Sequence, residues 1–126
     1  MNYLLLISAG LAIGLHIFIF YLETLAWTSP LTRRIFGLTE QESIQTRVMA
    51  ANQGVYNLLF AGIALSGVVL YLFGQTHTGL ILVIAGCGSM TLAALYLFLS
   101  SDKKGAATKQ LVFPLIATIT ACILLS

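Results

Sequence analysis

The chain has 126 residues, of which 59% are hydrophobic and 8% are charged, and its formal net charge is +2. A soluble domain of this length needs far more charge to cover its surface, so the composition indicates one membrane-embedded domain. The chain has no basic cluster interleaved with aromatic residues, which argues against nucleic acid as a partner.

Four apolar stretches predict an all-α fold, an antiparallel bundle of four transmembrane helices. The expected spans cover residues 3–29, 48–73, 80–99 and 109–126. Stretches of this length cross about 30 Å of hydrocarbon with some tilt. The first span is expected to end before Pro30, because proline disfavours helical geometry in the residue before it. Thr39 and Glu42 have the spacing of a capping box, which predicts a helix that begins at the interface and continues into the second span.

The positive charges are distributed on one side only. They flank the first and third connections: Arg33, Arg34, Arg47, Lys103, Lys104 and Lys109. The N-terminus, the second connection and the C-terminus carry no lysine or arginine. The positive-inside rule therefore predicts that loops 30–47 and 101–108 are cytoplasmic and that both termini lie outside.

The first two spans carry polar side chains that a bilayer disfavours. On the first helix, the spacing of His16, Glu23 and Trp27 places the three on one stripe. On the second, an arc of about 140° holds another group, which comprises Asn52, Gln53, Tyr56 and Asn57. At about 1.5 Å per residue the two stripes match in depth. Antiparallel packing therefore predicts one polar ligand-binding site, built from these seven residues, in the cytoplasmic half of the bundle.

Glu23 is the residue on which the functional hypotheses depend. A carboxylate in hydrocarbon costs about 3 kcal/mol, so it should face the bundle interior and find hydrogen-bond donors. Either it serves a ligand, proton or substrate site, or it is a structural clamp between the first two spans. A buried histidine bonded to a neighbour explains His16 as well as a ligand role does, and belt anchoring explains the position of Trp27. One histidine and one glutamate do not make a metal site, and no cofactor is indicated.

A second face of the first helix carries small residues. Gly10 and Gly14 form a GxxxG pair about 130° around the helix from the polar stripe. Such a pair favours close helix packing, either within the bundle or in a homodimer. Further pairs with the same spacing are Gly62 and Ser66, Ala85 and Ser89, and Ala117 and Ala121.

These motifs together resemble a known family over essentially the whole chain. They are the spacing of His16, Glu23 and Trp27 ahead of Pro30, the sequence FGLT at 36–39 and the sequence AANQGVYN at 50–57. The pattern is similar to domain-of-unknown-function family 1304, small bacterial membrane proteins with four spans. The resemblance implies a four-span protein of the bacterial inner membrane and treats the seven polar and aromatic positions as one set. It implies no activity.

Three functions stay open from the sequence. The first is a protein that binds or transports a small molecule or a proton, with Glu23 as the protonatable group. The second is an intramembrane enzyme acting on a lipid or a quinone-like substrate, with His16 and Glu23 as an acid/base pair. The third is a structural or accessory subunit whose polar stripes only fix helix pairing. No catalytic motif decides whether the protein is an enzyme.

Overall fold

The computed structural model describes residues 2–126, which form six α-helices. They are α1 (Tyr3–Phe20), α2 (Pro30–Phe36), α3 (Glu40–Gln45), α4 (Arg47–Leu72), α5 (Thr76–Ser100) and α6 (Lys104–Leu125). A π-helical turn, Tyr21–Leu25, continues α1 without a break. The helix formed by α1 and this turn, together with α4, α5 and α6, provides four segments long and apolar enough to cross a membrane. The prediction of an all-α, multi-pass membrane bundle is thus confirmed.

The four long helices pack as a square. Helix α1 contacts α4 and α6, and α5 contacts the same two helices from the opposite corner. The interface of α4 with α5 depends on glycine, because a Cβ on Gly86 would lie 2.6 Å from the backbone nitrogen of Ala64. A Cβ on Gly79 would lie equally close, at 2.6 Å, to the backbone nitrogen of Tyr71. Small residues let two membrane helices approach until their backbones touch, and here they set the packing distance.

The predicted small-residue pairs contribute unequally to this packing. Ala117 and Ala121 are fully buried in the core. Gly10 and Gly14 lie on an exposed face of α1, and no atom lies within 4 Å of a Cβ built on either. Gly62 is equally open. The GxxxG pair therefore does not pack within the bundle.

The first helix ends four residues before the predicted boundary at residue 29. The amide of Ala26 donates to the carbonyl of Tyr21 at 3.1 Å, a bond that spans five residues and defines the π turn. Pro30 occupies the first turn of α2, where its missing N–H costs nothing. The Ser29 side chain caps this helix by accepting from the amide of Thr32 at 3.3 Å.

The capping box is present, but the helix that it opens is short. The Thr39 amide donates to the Glu42 carboxylate at 2.8 Å, and the Glu42 amide donates to the Thr39 hydroxyl at 3.1 Å. Helix α3 stops at Gln45, since Thr46 has a ψ of 4° and interrupts the helix before α4. The predicted single helix from the interface into the bilayer is therefore two helices.

One end of the bundle holds both charged connections, residues 26–46 and 101–103, and is called the charged end below. The two connections are joined by Lys103, whose ammonium donates to the carbonyl of Phe36 at 2.6 Å. At the opposite end, the part of the chain that the structure describes places no Lys, Arg, Asp or Glu side chain. There, Gly74 with a φ of +88° lets α5 start after only three residues.

Candidate functional site

The charged end contains a partly enclosed cavity of about 500 Å³ between the four long helices. Five of the seven predicted site residues line it, namely Glu23, Trp27, Gln53, Tyr56 and Asn57. The remaining lining residues are Phe36, Phe60, Ala93, Tyr96, Leu97, Ser100, Lys103, Ala106 and Gln110. The cavity is therefore wider than a site between the first two spans, because α5 and α6 form its other walls.

Glu23 lies in this cavity and makes a short hydrogen bond across to α4. The side-chain amide of Asn57 donates to Oε1 of Glu23 at 2.6 Å. Among residues 2–126, no second side chain donates to this carboxylate, so Gln53 and Tyr56 line the cavity without a hydrogen bond to it. One carboxylate oxygen is thus fixed by an amide, and the other can accept a hydrogen bond from a bound molecule.

The π turn and one glycine bring the two partners together. Thr24, within the turn, donates its hydroxyl to the carbonyl of Ala51 on α4 at 3.1 Å. Gly54 faces this contact, and a Cβ on it would clash with the Thr24 hydroxyl oxygen and lie 3.1 Å from Cβ of Glu23. The absence of a side chain at Gly54 therefore lets α4 approach closely enough for Asn57 to reach Glu23.

Two aromatic pairs line the cavity beside Glu23. Trp27 packs on Phe36 with ring centroids 5.0 Å apart, and Tyr56 stacks on Phe60 at 6.5 Å. The indole N–H of Trp27 donates to the hydroxyl of Thr46 at 3.0 Å, which fixes the ring over the interruption between α3 and α4. Trp27 is thus half-buried against protein on a turn after the helix, rather than on the helical stripe.

His16 and Asn52 do not line the cavity. His16 is only 2% exposed, and its Nδ1 donates to the carbonyl of Ala12, one turn earlier, at 2.8 Å. This bond satisfies a buried ring within its own helix. Asn52 is exposed, and no hydrogen bond to its side chain occurs within residues 2–126. The cavity therefore lacks the His–Glu pair on which the enzyme hypothesis depended.

The sequence pattern did not indicate the walls contributed by α5 and α6. Tyr96 and Ser100 are four residues apart on α5, and Lys103 follows in the connection. Gln110 on α6 carries a signal of its own, because Pro114 has no N–H to donate to the Gln110 carbonyl. A proline in a membrane span leaves the carbonyl four residues earlier without its helical donor, so neighbouring groups must supply one.

The described part of the chain contains no group of three or more His, Cys, Asp or Glu side chains placed to hold a metal ion. What the cavity offers instead is one carboxylate, three amide side chains and several aromatic rings in a sheltered space. Such a set suits binding of a small molecule or a proton, since a few polar groups in an apolar pocket fix orientation and specificity.

Replacing Asn57 with leucine is expected to lower the free energy of unfolding by about 1–3 kcal/mol, because the Glu23 carboxylate loses its donor. Asn52→Leu is the matched control, with the same substitution on the same helix at an exposed position, and should change stability by less than about 0.5 kcal/mol. Unfolding in mixed micelles measures the free energy of unfolding of both variants. Equal effects of the two substitutions would mean that the hydrogen bond to Glu23 contributes nothing.

Comparisons with known proteins give a matching family model and a similar curated protein. A family model described as "Protein of unknown function (DUF1304)" matches residues 10–122, a range that includes every residue of the cavity. The "Uncharacterized protein YpaA" of Lactococcus lactis subsp. lactis (strain IL1403) is 36% identical over 106 residues. The alignment covers 80% of this chain and 83% of that protein. No solved structure matches the chain significantly.

Proposed function

The chain belongs to the DUF1304 family of proteins of unknown function, and we propose that it binds a small molecule or a proton at the cavity around Glu23. The observation that carries this function is the carboxylate itself, which lines a partly enclosed space and is held on one oxygen by Asn57. A purely structural clamp between two helices needs the hydrogen bond but not the cavity. Ionisable residues in membrane spans commonly mark ligand or ion pathways.

The cavity lies at the charged end, which is the end from which we propose that a ligand enters. Six lysines and arginines lie at or near this end, and the positive-inside rule assigns such an end to the cytoplasm. In this orientation loops 30–47 and 101–108 are cytoplasmic, both termini are outside, and the membrane is the bacterial inner membrane. Outward transport would begin with binding from the cytoplasm, so a transport function would use the same cavity.

The experiment that tests this function measures access to the cavity from each side. With Cys87 and Cys122 replaced by alanine, Gln53→Cys introduces a thiol that lines the cavity. A membrane-impermeant maleimide is expected to modify it in inside-out vesicles but not in intact cells. Ser66→Cys, exposed on the outer surface of the same helix, is the matched control and should react from neither side.

Two results would contradict the proposed function or its orientation. If the thiol introduced at position 53 reacts from neither side while the protein remains folded, the site is sealed and Glu23 is a structural clamp. If it reacts only from outside the cell, the cavity is accessible to a ligand but the proposed orientation is wrong.

A homodimer is a second proposal, and the exposed face of α1 that carries Gly10 and Gly14 supports it. Gly10 and Gly14 are exposed one turn apart, and no atom lies within 4 Å of a Cβ built on either. A second helix can therefore approach this face closely without displacing any part of the bundle. Such a contact lies away from the cavity, so an accessory role in an assembly is compatible with ligand binding.

A further inference from the structure

A second, smaller cavity adjoins the one that contains Glu23. Its volume is about 260 Å³, and most of its lining is apolar, with Phe18, Leu22 and Ile35 among the side chains that form it. Among the residues that the structure describes, Lys109 and Gln110 are its only polar lining residues, and both lie on α6. The two cavities share the lining residues Phe36, Ala106 and Gln110, so they adjoin at these positions. A polar compartment with a carboxylate therefore lies directly beside an apolar compartment between the helices.

The polar compartment has the features that recognise an organic cation. Glu23 presents a carboxylate oxygen that no side chain of the described residues occupies, and Asn57 holds the group in place. The pairs of Trp27 with Phe36 and Tyr56 with Phe60 line the same space. Faces of aromatic rings attract ammonium groups through the quadrupole of the ring, more strongly where water is excluded.

The cation that lines the cavity does not neutralise Glu23. Lys103 lies in the connection between α5 and α6, is exposed, and donates its ammonium to the carbonyl of Phe36. This hydrogen bond holds the Lys103 ammonium at the rim of the cavity. The Glu23 carboxylate can therefore pair with a ligand that carries a positive charge.

From these contacts we infer that the ligand is an amphiphilic ammonium compound, whose head lies beside Glu23 and whose alkyl chain lies in the adjoining apolar cavity. This assignment rests on the proposed function and names its ligand class. The junction of head and chain would lie beside Phe36, because Phe36 lines both compartments. The same chemistry is found in two sources, a free alkylammonium ion and the headgroup of a zwitterionic membrane lipid.

Lys103 distinguishes these two sources. A lipid headgroup carries a phosphate next to its ammonium, and a lysine ammonium at the rim of the cavity can pair with it. A free alkylammonium ion has no such group and gains nothing from Lys103. Lys103→Gln is therefore expected to weaken binding of the lipid while leaving binding of the free ion equal or tighter.

The experiment uses the full chain in phosphatidylglycerol nanodiscs and the fluorescence of Trp27, the single tryptophan. Octyltrimethylammonium is expected to change this fluorescence saturably, and octanol and octanoate should bind at least about tenfold more weakly. Glu23→Gln should weaken ammonium binding by about tenfold. Glu40→Gln, which removes an exposed carboxylate on α3, is the matched control and should leave it unchanged.

A second variant and a competitor complete the test. Tyr56→Leu removes one ring from a half-exposed position, where the fold does not depend on it, and should also weaken ammonium binding. Phosphatidylethanolamine added to the nanodiscs competes with the probe if the lipid is the ligand. That competition should be lost in Lys103→Gln.

Three outcomes separate the failure of this inference from the failure of the proposed function. If octanol or octanoate binds as tightly as the ammonium probe, the ligand class is wrong and the cavity remains a binding site. If Glu23→Gln and Tyr56→Leu both leave ammonium binding unchanged, the probe does not bind in this cavity and the inference is wrong, while the proposed function is still decided by the reactivity of Gln53→Cys. If no probe changes Trp27 fluorescence and the thiol of Gln53→Cys is unreactive from both sides, both assignments are wrong.

Discussion

Replacing Gly86 with valine is expected to lower the free energy of unfolding by about 3 kcal/mol or more, the largest effect of any single substitution considered. The Cβ of the new side chain would lie 2.6 Å from the backbone nitrogen and 2.8 Å from the Cβ of Ala64. Neither atom belongs to a flexible side chain that can turn aside, so α5 has to move away from α4. Unfolding in mixed micelles measures the loss.

Gly62→Val is the matched control for this prediction. Gly62 lies on α4, and a Cβ built on it would meet no atom within 4 Å. Its replacement should change stability by less than about 0.5 kcal/mol, since the new side chain points away from the bundle. Gly79→Val should behave like Gly86→Val, because its Cβ would meet the backbone of Tyr71 at 2.6 Å. Similar losses at Gly62 and Gly86 would show that helix contact is not the cause.

Gly54→Val is expected to have a smaller effect on stability than the substitutions at Gly86 and Gly79, but to disrupt the site as well as the fold. The valine side chain would displace the π turn through its clash with the Thr24 hydroxyl, and the loss should be about 1–3 kcal/mol. The displacement should also break the hydrogen bond between Glu23 and Asn57. Asn57→Leu, which is destabilising on its own, should therefore cost almost nothing further in the Gly54→Val background.

A double-mutant cycle of Gly54→Val and Asn57→Leu measures this coupling. Contacts that share one local arrangement are non-additive, and a coupling of about 1 kcal/mol or more is expected. Gly54→Val combined with Asn52→Leu is the control cycle and should be additive, because Asn52 is exposed on the same helix. Full additivity in both cycles would mean that Gly54 does not position the bond to Glu23.

The elements that the sequence predicted best are those with a local cause. Four apolar runs of membrane length indicated the four long helices, and the spacing of Thr39 and Glu42 indicated the cap of α3. The polar positions on the first two spans are also local, and five of the seven residues line one cavity. Each of these features follows from the hydropathy or the hydrogen-bonding capacity of a short segment.

What the sequence did not predict depends on contacts between segments. A count of 100° per residue assumes a regular α-helix, so it does not anticipate the π turn or the position of Trp27 beyond the helix end. Gly86 and Gly79 allow the close contact of α5 with α4, yet neither is part of a pair noticed in the sequence, because their partners lie on another helix. Lys103 and Gln110 join the cavity only when α6 packs against α1.

The π turn also determines how many residues the chain can have between its first helix and Trp27. A π turn contains one residue more than the α-helical turn that would fill the same space. Deleting one residue between Tyr21 and Leu25 would leave an ordinary helix with all its backbone bonds made. The residues on either side of the turn would keep their orientation, but Glu23 lies within the turn, and its carboxylate would no longer be held in reach of Asn57. The length of this segment is thus a requirement of the site, whereas the helix by itself would tolerate a shorter one.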